Sequence, residues 1–427
     1  MTANAKINNR SIIRTSGKIF ADGAIIDLVQ PVTDRQPQLL WWRKHLTKVA
    51  PQIEYRGHVY QAVDAEVSLL RAICFPTDAE DYGSAQKLFA KVSELFGRYI
   101  GLALPEAALL TAWTCTTWFP ECASSPPTLV ISGPDMGHGI TLLRLLGCLC
   151  RRSLVLSDIS RSGLVAAMRL KPTLLVNQPG QFRKLWHLLG TSNFHGVYVL
   201  GNQGRVNNLA GCRAFFVGME QPWNDGALHL ALPPARTDLP TLDEPRQVEI
   251  AKSFQPKWLM YRLRSLSKVH ASHSSVLQLK FPETEMAHNL AACIQGDPEI
   301  AQAIAPILQR QDQDAHVQRG CDVNRALVEV VLSSLHEKKE CSVSRLAELT
   351  NALLRCRGET LEYSPSEIGW KLRNLGLYRQ RNGSGMVFRL SRENSQLVHQ
   401  LARSFNLNLP PVQGCPDCVN QEVIAPE

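Results

Sequence analysis

No apolar run in this 427-residue sequence is long and clean enough to cross a bilayer. The nearest, Tyr99 to Phe119, contains Pro105, Glu106 and four threonines (Thr111, Thr114, Thr116, Thr117). These groups are costly in lipid, so a buried core helix and no membrane contact are expected. The N-terminal MTANAKINNRSIIRTSGK lacks the apolar stretch of a secretory leader, and the protein is expected in the cytoplasm. Internal repeats and low-complexity tracts are missing. The 12 cysteines are scattered through apolar stretches without a ladder of spacings, which excludes a disulfide framework and fits a reducing compartment. Cys415-Pro416-Asp417-Cys418 has zinc-knuckle spacing, but no second CxxC or paired histidine follows, so no metal site is expected and 411–427 reads as a flexible tail. No Ser-His-Asp or Cys-His set stands out, and no nucleophile is assigned.

What remains is an ordinary globular composition: 44% apolar, 20% charged, 27 Gly and 25 Pro. It excludes wholesale disorder and collagen-like or coiled-coil architectures. The formal charge is +8, a basic excess whose meaning depends on where it lies.

Residues 17–63 alternate apolar and polar positions around Asp22-Gly23 and Arg56-Gly57, which predicts β-hairpins in a small N-terminal module, 1–64. Apolar spacing of three and four takes over from Ala65 to Phe119, a helical collar over 65–125. Ser124-Ser125-Pro126-Pro127 marks the main boundary. Beyond it, strands at 128–132, 153–156, 173–176, 196–200 and 213–218 alternate with helices at 140–150, about 160–169 and 181–189. That alternation predicts a mostly parallel sheet covered by helices over 126–275, followed by a helical linker region, 276–320. The last unit, 321–410, reads as three helices and a two-stranded ribbon, the layout of a winged helix; Ser364-Pro365-Ser366-Glu367 predicts the start of its third helix.

The stretch from Thr128 to Arg144 places a buried strand, then Gly133, Gly137 and Gly139, then an amphipathic helix. Loops that cradle phosphate on backbone N–H groups use this order. The standard loop is G-x-x-x-x-G-K-[ST]. Counted from Gly133 its lysine falls on Gly139; with one residue inserted, Gly139 and Thr141 fit but the lysine becomes Ile140. Downstream, the strand after Lys171 ends in Asn177 and Gln178, where hydrolysing relatives of this loop carry an acidic pair. Amides keep the shape but offer no charge for Mg²⁺ and no base for water.

In these residues the sequence resembles P-loop ATPases of the primase and helicase-associated kind found in bacteria and on their mobile elements. The resemblance covers roughly 126–270 and extends more weakly through the C-terminal unit. Gly133-Pro134 and Thr141-Leu142-Leu143-Arg144 to Arg151 match the run G-P-x-x-x-G-K-[ST]-x-L-L-R-x-L-x-x-L-C-R expected of such proteins. It implies a P-loop NTPase-like core and a vestigial nucleotide site at Gly133, Gly137, Gly139, Thr141, Asn177 and Gln178, with ATP and Mg²⁺ held weakly or not at all. It also implies DNA as a partner, and a homo-oligomer or an active ATPase partner. The lysine, both acids and an arginine expected in 226–230 are missing together. The leading reading is a DNA-associated pseudo-ATPase with a vestigial nucleotide site. The alternatives are an ATPase whose charges come from a partner subunit and a protein-interaction scaffold with neither activity; for the loop alone, the alternative is an unrelated α/β domain whose glycines merely turn a corner.

Between Tyr363 and Arg392, six cationic side chains face the single acid Glu367, a local charge of +5. Lys371 and Arg373 lie on the third helix, Arg379, Arg381 and Arg389 on the ribbon. A winged helix would use these on DNA, with the helix in the groove and the wing on phosphate; the alternative is a protein-contact module with solvated arginines.

Overall fold

The computed structural model describes residues 11–32, 34, 36–123, 125–177, 189, 193–200, 206–219, 226–271, 279–282, 284–295, 297–359, 361–377, 379–382, 385–405, 407, 412 and 415–419. Two compact units result, Met1–Gln311 and Asp312–Glu427. The divisions expected at 64/65, 125/126 and 275/276 all fall inside the first.

The first unit begins with β1 (Ile12–Thr15), β2 (Lys18–Ile19), β3 (Ile25–Val29), β4 (Gln38–Arg43), β5 (Leu46–Ala50), β6 (Gln52–Tyr55) and β7 (His58–Ala62). They form an antiparallel sheet β2-β3-β4-β5 and a smaller sheet β1-β7-β6. The β6–β7 hairpin turns through Arg56 and Gly57 at φ 48° and 78°. Left-handed backbone at both central residues matches the right-handed strand twist, which is why Arg-Gly suits the turn. Every residue of β3 is buried, so it is covered on both faces rather than one.

Three helices follow: α1 (Val67–Ala72), α2 (Ala85–Ile100) and α3 (Leu104–Thr116). Ser84 caps α2 through the Lys87 N–H, and Gly101 ends it at φ 70°. α3 is buried from Ala107 onward, in the stretch that comes nearest to a membrane span. Its polar groups turn inward on the backbone: Thr111 Oγ1 donates to the Ala107 carbonyl at 2.9 Å, and Thr116 and, just past the helix, Thr117 bond carbonyls three residues back. Among the described residues no helix is long and apolar enough to cross a membrane.

The centre is a five-stranded parallel sheet of β8 (Thr128–Ser132), β9 (Ser153–Leu156), β10 (Thr173–Asn177), β13 (Arg213–Phe216) and β14 (Leu228–Ala231), ordered β14-β8-β13-β10-β9. β11 (Tyr198–Leu200) and β12 (Val206–Asn208) pair antiparallel outside it. The strands are near-continuous apolar runs because both faces are covered. On β8, Leu129 and Ile131 pack with Leu142, Leu143 and Leu146 of α4 (Met136–Leu149), while Val130 joins the opposite layer with Ile26 and Leu28 of β3. α5 (Arg161–Met168) covers that second face. The unit continues with α6 (Glu244–Ala271), α7 (Glu285–Ile294) and the first part of α8 (Pro298–Gly320), whose residues from Asp312 onward are assigned to the second unit. Trp258 of α6 is fully buried, stacked on Trp118 and Phe89 at 6.5 and 5.8 Å. The mixed α/β architecture, with a parallel sheet compatible with a P-loop-like core, agrees with the expected class.

The four-residue element Asp27, Arg151, Arg152 and Arg262 has no sequence signature. Asp27 lies in the middle of β3. Its carboxylate accepts from Arg151 Nη2 at 3.0 and 2.9 Å, from Arg262 Nε at 2.9 Å and from Arg152 Nη2. All four residues are at most 3% exposed. Arg262 also forks onto Glu121, and Arg152 donates to the carbonyls of Ser16 and Leu170. Burial alone would raise the Asp27 carboxyl; the three guanidiniums overcome it and hold the group well below the usual carboxylate range.

The second unit contains α9 (Val323–His336), β15 (Cys341–Ser342), α10 (Val343–Cys356), α11 (Pro365–Asn374), β16 (Arg379–Asn382), β17 (Gly385–Phe388), α12 (Arg392–Ser404) and α13 (Pro416–Val419). The strands form an antiparallel sheet, β15-β17-β16. α11 starts with the expected reciprocal cap between Ser364 and Glu367. The flexible-tail reading of 411–427 does not hold for Cys415–Val419: α13 is a helical turn with Cys415 and Cys418 buried.

Replacing Asp27 by Asn leaves the buried Arg151 and Arg152 without their carboxylate partner and Arg262 with Glu121 alone. The loss expected is about 3–5 kcal/mol of unfolding free energy in denaturant titrations. Acid tests the same cluster. At Glu121, burial would raise the pKa, but Arg262 and Arg151 lower it from 4.5 to about 2. A depressed carboxylate stabilises fully above its unfolded value, and that contribution disappears as pH falls through its folded value. Stability should therefore fall between pH 4.5 and about 2. The fall should be shallower in Asp27→Asn; equal slopes would remove the cluster as its cause.

Candidate functional site

The candidate site lies where β8, β13 and β10 end. Register places Ile131, Phe216 and Asn177 in one row across these strands. At about 4.8 Å per strand, the glycine turn after β8 and the end of β10 are about 10 Å apart on one edge of the sheet. In open α/β sheets the ends of the strands, where connections diverge to either side, form the usual binding crevice. Here the chain leaves β8 toward β9 on one side and later reaches β14 on the other.

The expected glycine loop is mostly helix. α4 starts at Met136, four residues before the expected start at 140, leaving Gly133, Pro134 and Asp135 as the link. Asp135 is responsible. Its side chain accepts from the His138 N–H at 3.0 Å, and its carbonyl accepts the Gly139 N–H at 3.0 Å. A carboxylate at the N-cap satisfies an orphan donor and meets the positive helix end, the two features that an anion would use. Gly133, Gly137 and Gly139 all lie outside the left-handed region, so the alternating backbone that builds an anion nest is not formed there.

Two of these glycines have packing reasons. A Cβ on Gly133 would sit 2.9 Å from the Leu232 Cβ, and one on Gly139 would sit 2.4 Å from the Phe216 ring. Gly139 is the position to which the undisplaced motif count assigns the lysine, and a side chain there would have to displace the Phe216 ring. Thr141, the nominal Mg²⁺ ligand, donates its hydroxyl to the Gly137 carbonyl at 2.9 Å within its own helix. Asn177 does reach the edge, with a buried Oδ1 that has no hydrogen-bond partner; His138 Nε2 is in the same condition. Gln178 lies outside the described residues. In 226–230, β14 pairs with β8, and the His229 backbone is bracketed by the Gln311 amide through an N–H bond of 3.2 Å and a carbonyl bond of 2.5 Å. The edge can donate and accept neutral hydrogen bonds. Among the described residues there it offers no cation for a γ-phosphate, and its one acid, Asp135, is committed to the helix cap.

The second group of expected residues lies on the second unit. Arg373, Arg381 and Arg389 are exposed. Lys371 is half-buried, its Nζ 5.2 Å above the Tyr363 ring. Arg379 pairs with Phe388 in the strand register, and Arg381 with Met386. Sequence reasoning missed Trp370, 62% exposed on α11. Trp370 and Arg373 are three apart, hence on one helix face, and that spacing was the available signal. It also missed His336 and His399, which lie beside Cys415 and Cys418. The absent "paired histidine" precedes the cysteines by 16 and 79 residues, on other helices, where no local motif can register it.

Gly139→Ala should cost about 1–3 kcal/mol by overpacking against Phe216, and Phe216→Leu in that background should recover part of the loss. Additive losses in the double variant, read by denaturant midpoint, would show that the glycine is not there for the ring.

No family model and no curated protein matches the chain. Among solved structures it is similar to the NrS-1 C-terminal region in its apo form, at 8% identity and TM-score 0.35, covering 85% of this chain and 95% of that one. It is also similar to a full-length MCM homolog from Methanopyrus kandleri, at 13% identity and TM-score 0.32, covering 67% and 72%. A further likeness is to Drosophila ORC bound to DNA, at 11% identity and TM-score 0.19, covering 83% and 96%.

Proposed function

We propose that this protein is a DNA-associated pseudo-ATPase: a P-loop-like core kept for its architecture, joined to a winged-helix unit that contacts DNA. The observation that carries the first half is the closed start of α4, where Asp135 takes the N–H group and the dipole that a phosphate would need. The missing lysine, acids and arginine agree with it. A phosphoryl transition state depends almost entirely on such charges, so a core without them serves assembly rather than turnover.

Support for the second half is the element order of the second unit, with α11 followed by a β16–β17 ribbon, and the exposed Arg373, Arg381 and Arg389 there. The guanidiniums supply phosphate contacts, and Trp370 supplies an apolar face able to stack on a base.

ATP titration of the whole chain, with and without Mg²⁺, should give no saturable binding and no phosphate release. Mg²⁺-dependent turnover would overturn the pseudo-ATPase reading and favour charges supplied by a partner subunit.

On short duplex DNA, Arg381→Ala with Arg389→Ala should reduce the slope of log affinity against log salt by about one unit per lost phosphate contact. Trp370→Ala should weaken binding with the slope unchanged, because an apolar contact releases no counterion. An arginine double variant that binds with the parental slope would leave the unit as a protein-contact module.

A further inference from the structure

We infer that His336, His399, Cys415 and Cys418 form a structural zinc site in the second unit. The four side chains come from three places: the last residue of α9, the middle of α12, and a CxxC turn made by Cys415 and α13. His336 Nε2 is 3.3 Å from His399 Nε2 and 3.3 Å from Cys418 Sγ. His399 Nε2 is 3.3 Å from Cys418 Sγ and 3.4 Å from Cys415 Sγ, and all four ligand atoms lie within 4.8 Å of one another. A tetrahedron with Zn–N near 2.0–2.1 Å and Zn–S near 2.3 Å has edges of about 3.3 Å between nitrogens and about 3.6 Å between nitrogen and sulfur. The observed spacings are those of ligands already drawn around one small centre.

The protonation geometry agrees. His399 Nδ1 is 2.8 Å from the Ser395 carbonyl, an acceptor only, so Nδ1 carries the proton and the Nε2 lone pair faces the cluster. Metal-binding histidines are oriented in this way by an outer acceptor. Ser395 also donates to Asp417 Oδ2, which fastens the residue between the cysteines to the helix bearing His399. His399, Cys415 and Cys418 are at most 9% exposed. Two imidazoles and two thiols converging in a largely buried site have few mutual hydrogen bonds to make, since thiols are weak donors.

Zn²⁺ answers the composition of the set. Thiolate and imidazole together select it over Mg²⁺ or Ca²⁺, and four protein ligands leave no open position for substrate. Binding displaces the two thiol protons to solvent, and two thiolates with one Zn²⁺ make a neutral buried centre. The site is a staple holding Cys415–Val419 against α9 and α12. The CxxC pair is read as a metal clamp and not as a redox couple, and this assignment is independent of whether the core binds nucleotide or the unit binds DNA.

The test uses the untagged full chain purified without added metal. Elemental analysis should find about one zinc per chain, falling to background in Cys418→Ser and His399→Ala but unchanged in Cys356→Ser, which alters an exposed cysteine remote from the cluster in sequence. Should those variants fail to fold, the parental chain still decides: after chelation and reloading with Co²⁺, it should show the intense visible bands of a tetrahedral ion with a thiolate charge-transfer band in the near ultraviolet. Background zinc together with a weak octahedral cobalt spectrum would overturn the assignment. A Cys415–Cys418 disulfide found by mass spectrometry in the freshly purified chain would do so as well.

Discussion

One carboxylate organises the first unit. Asp27 sits on a strand with no solvent-facing side, and the three guanidiniums that answer it come from the turn after α4 and from α6. Charge must be matched closely in such a place, because a buried ion that loses its partner costs several kcal/mol while an apolar substitute would cost little. The arrangement therefore adds little stability over an apolar core. It ties the N-terminal sheet to the core, because Asp27 of β3 meets Arg151, Arg152 and Arg262 together. Glu121 on the other fork of Arg262 extends the same constraint to the end of the collar.

The cluster bears on the candidate site through α4. Arg151 and Arg152 follow α4 in sequence; at the carboxyl end of that helix Gln255 Nε2 donates to the Cys148 and Cys150 carbonyls at 3.0 and 2.8 Å, and Asp135 caps the amino end. Both poles are answered by the chain's own side chains. In a phosphate-binding loop the amino pole is left for the ligand, and a lysine adds the charge that makes binding strong. Here Phe216 fills the space where that side chain would start. The missing lysine and the glycine at its position are thus one packing fact rather than two losses.

Local chemistry was legible in the sequence, and distant partnership was not. The Arg56-Gly57 hairpin, strand 128–132 and the Ser364 cap follow from turn residues, apolar runs and capping signals, and each is found where expected. The start of α4 was misplaced because three glycines outweighed an ordinary Asp cap; a Gly inside a first turn is tolerated when a neighbour needs the room. β14 went unread because four residues ending in alanine carry little periodicity. Asp27 in Ile-Ile-Asp-Leu-Val reads as the outward residue of a half-exposed strand. Its partners lie 124, 125 and 235 residues away, beyond any pattern a single sequence displays.

The same limit explains the second unit. Arg381 and Arg389 are visible as a basic run, and both side chains are exposed. His336 and His399 are invisible as a pair, since each is a lone histidine on an amphipathic helix, and only the packing of α9 against α12 brings their rings to 5.3 Å between centroids. A CxxC turn docked on that pair completes a four-ligand set that sequence spacing argues against. Zinc knuckles are recognised from sequence because their ligands close short loops; a site closed across 82 residues leaves the same chemistry with no local trace. In both units, then, the residues that fix the architecture are charged or metal-binding groups whose meaning comes from the fold that assembles them.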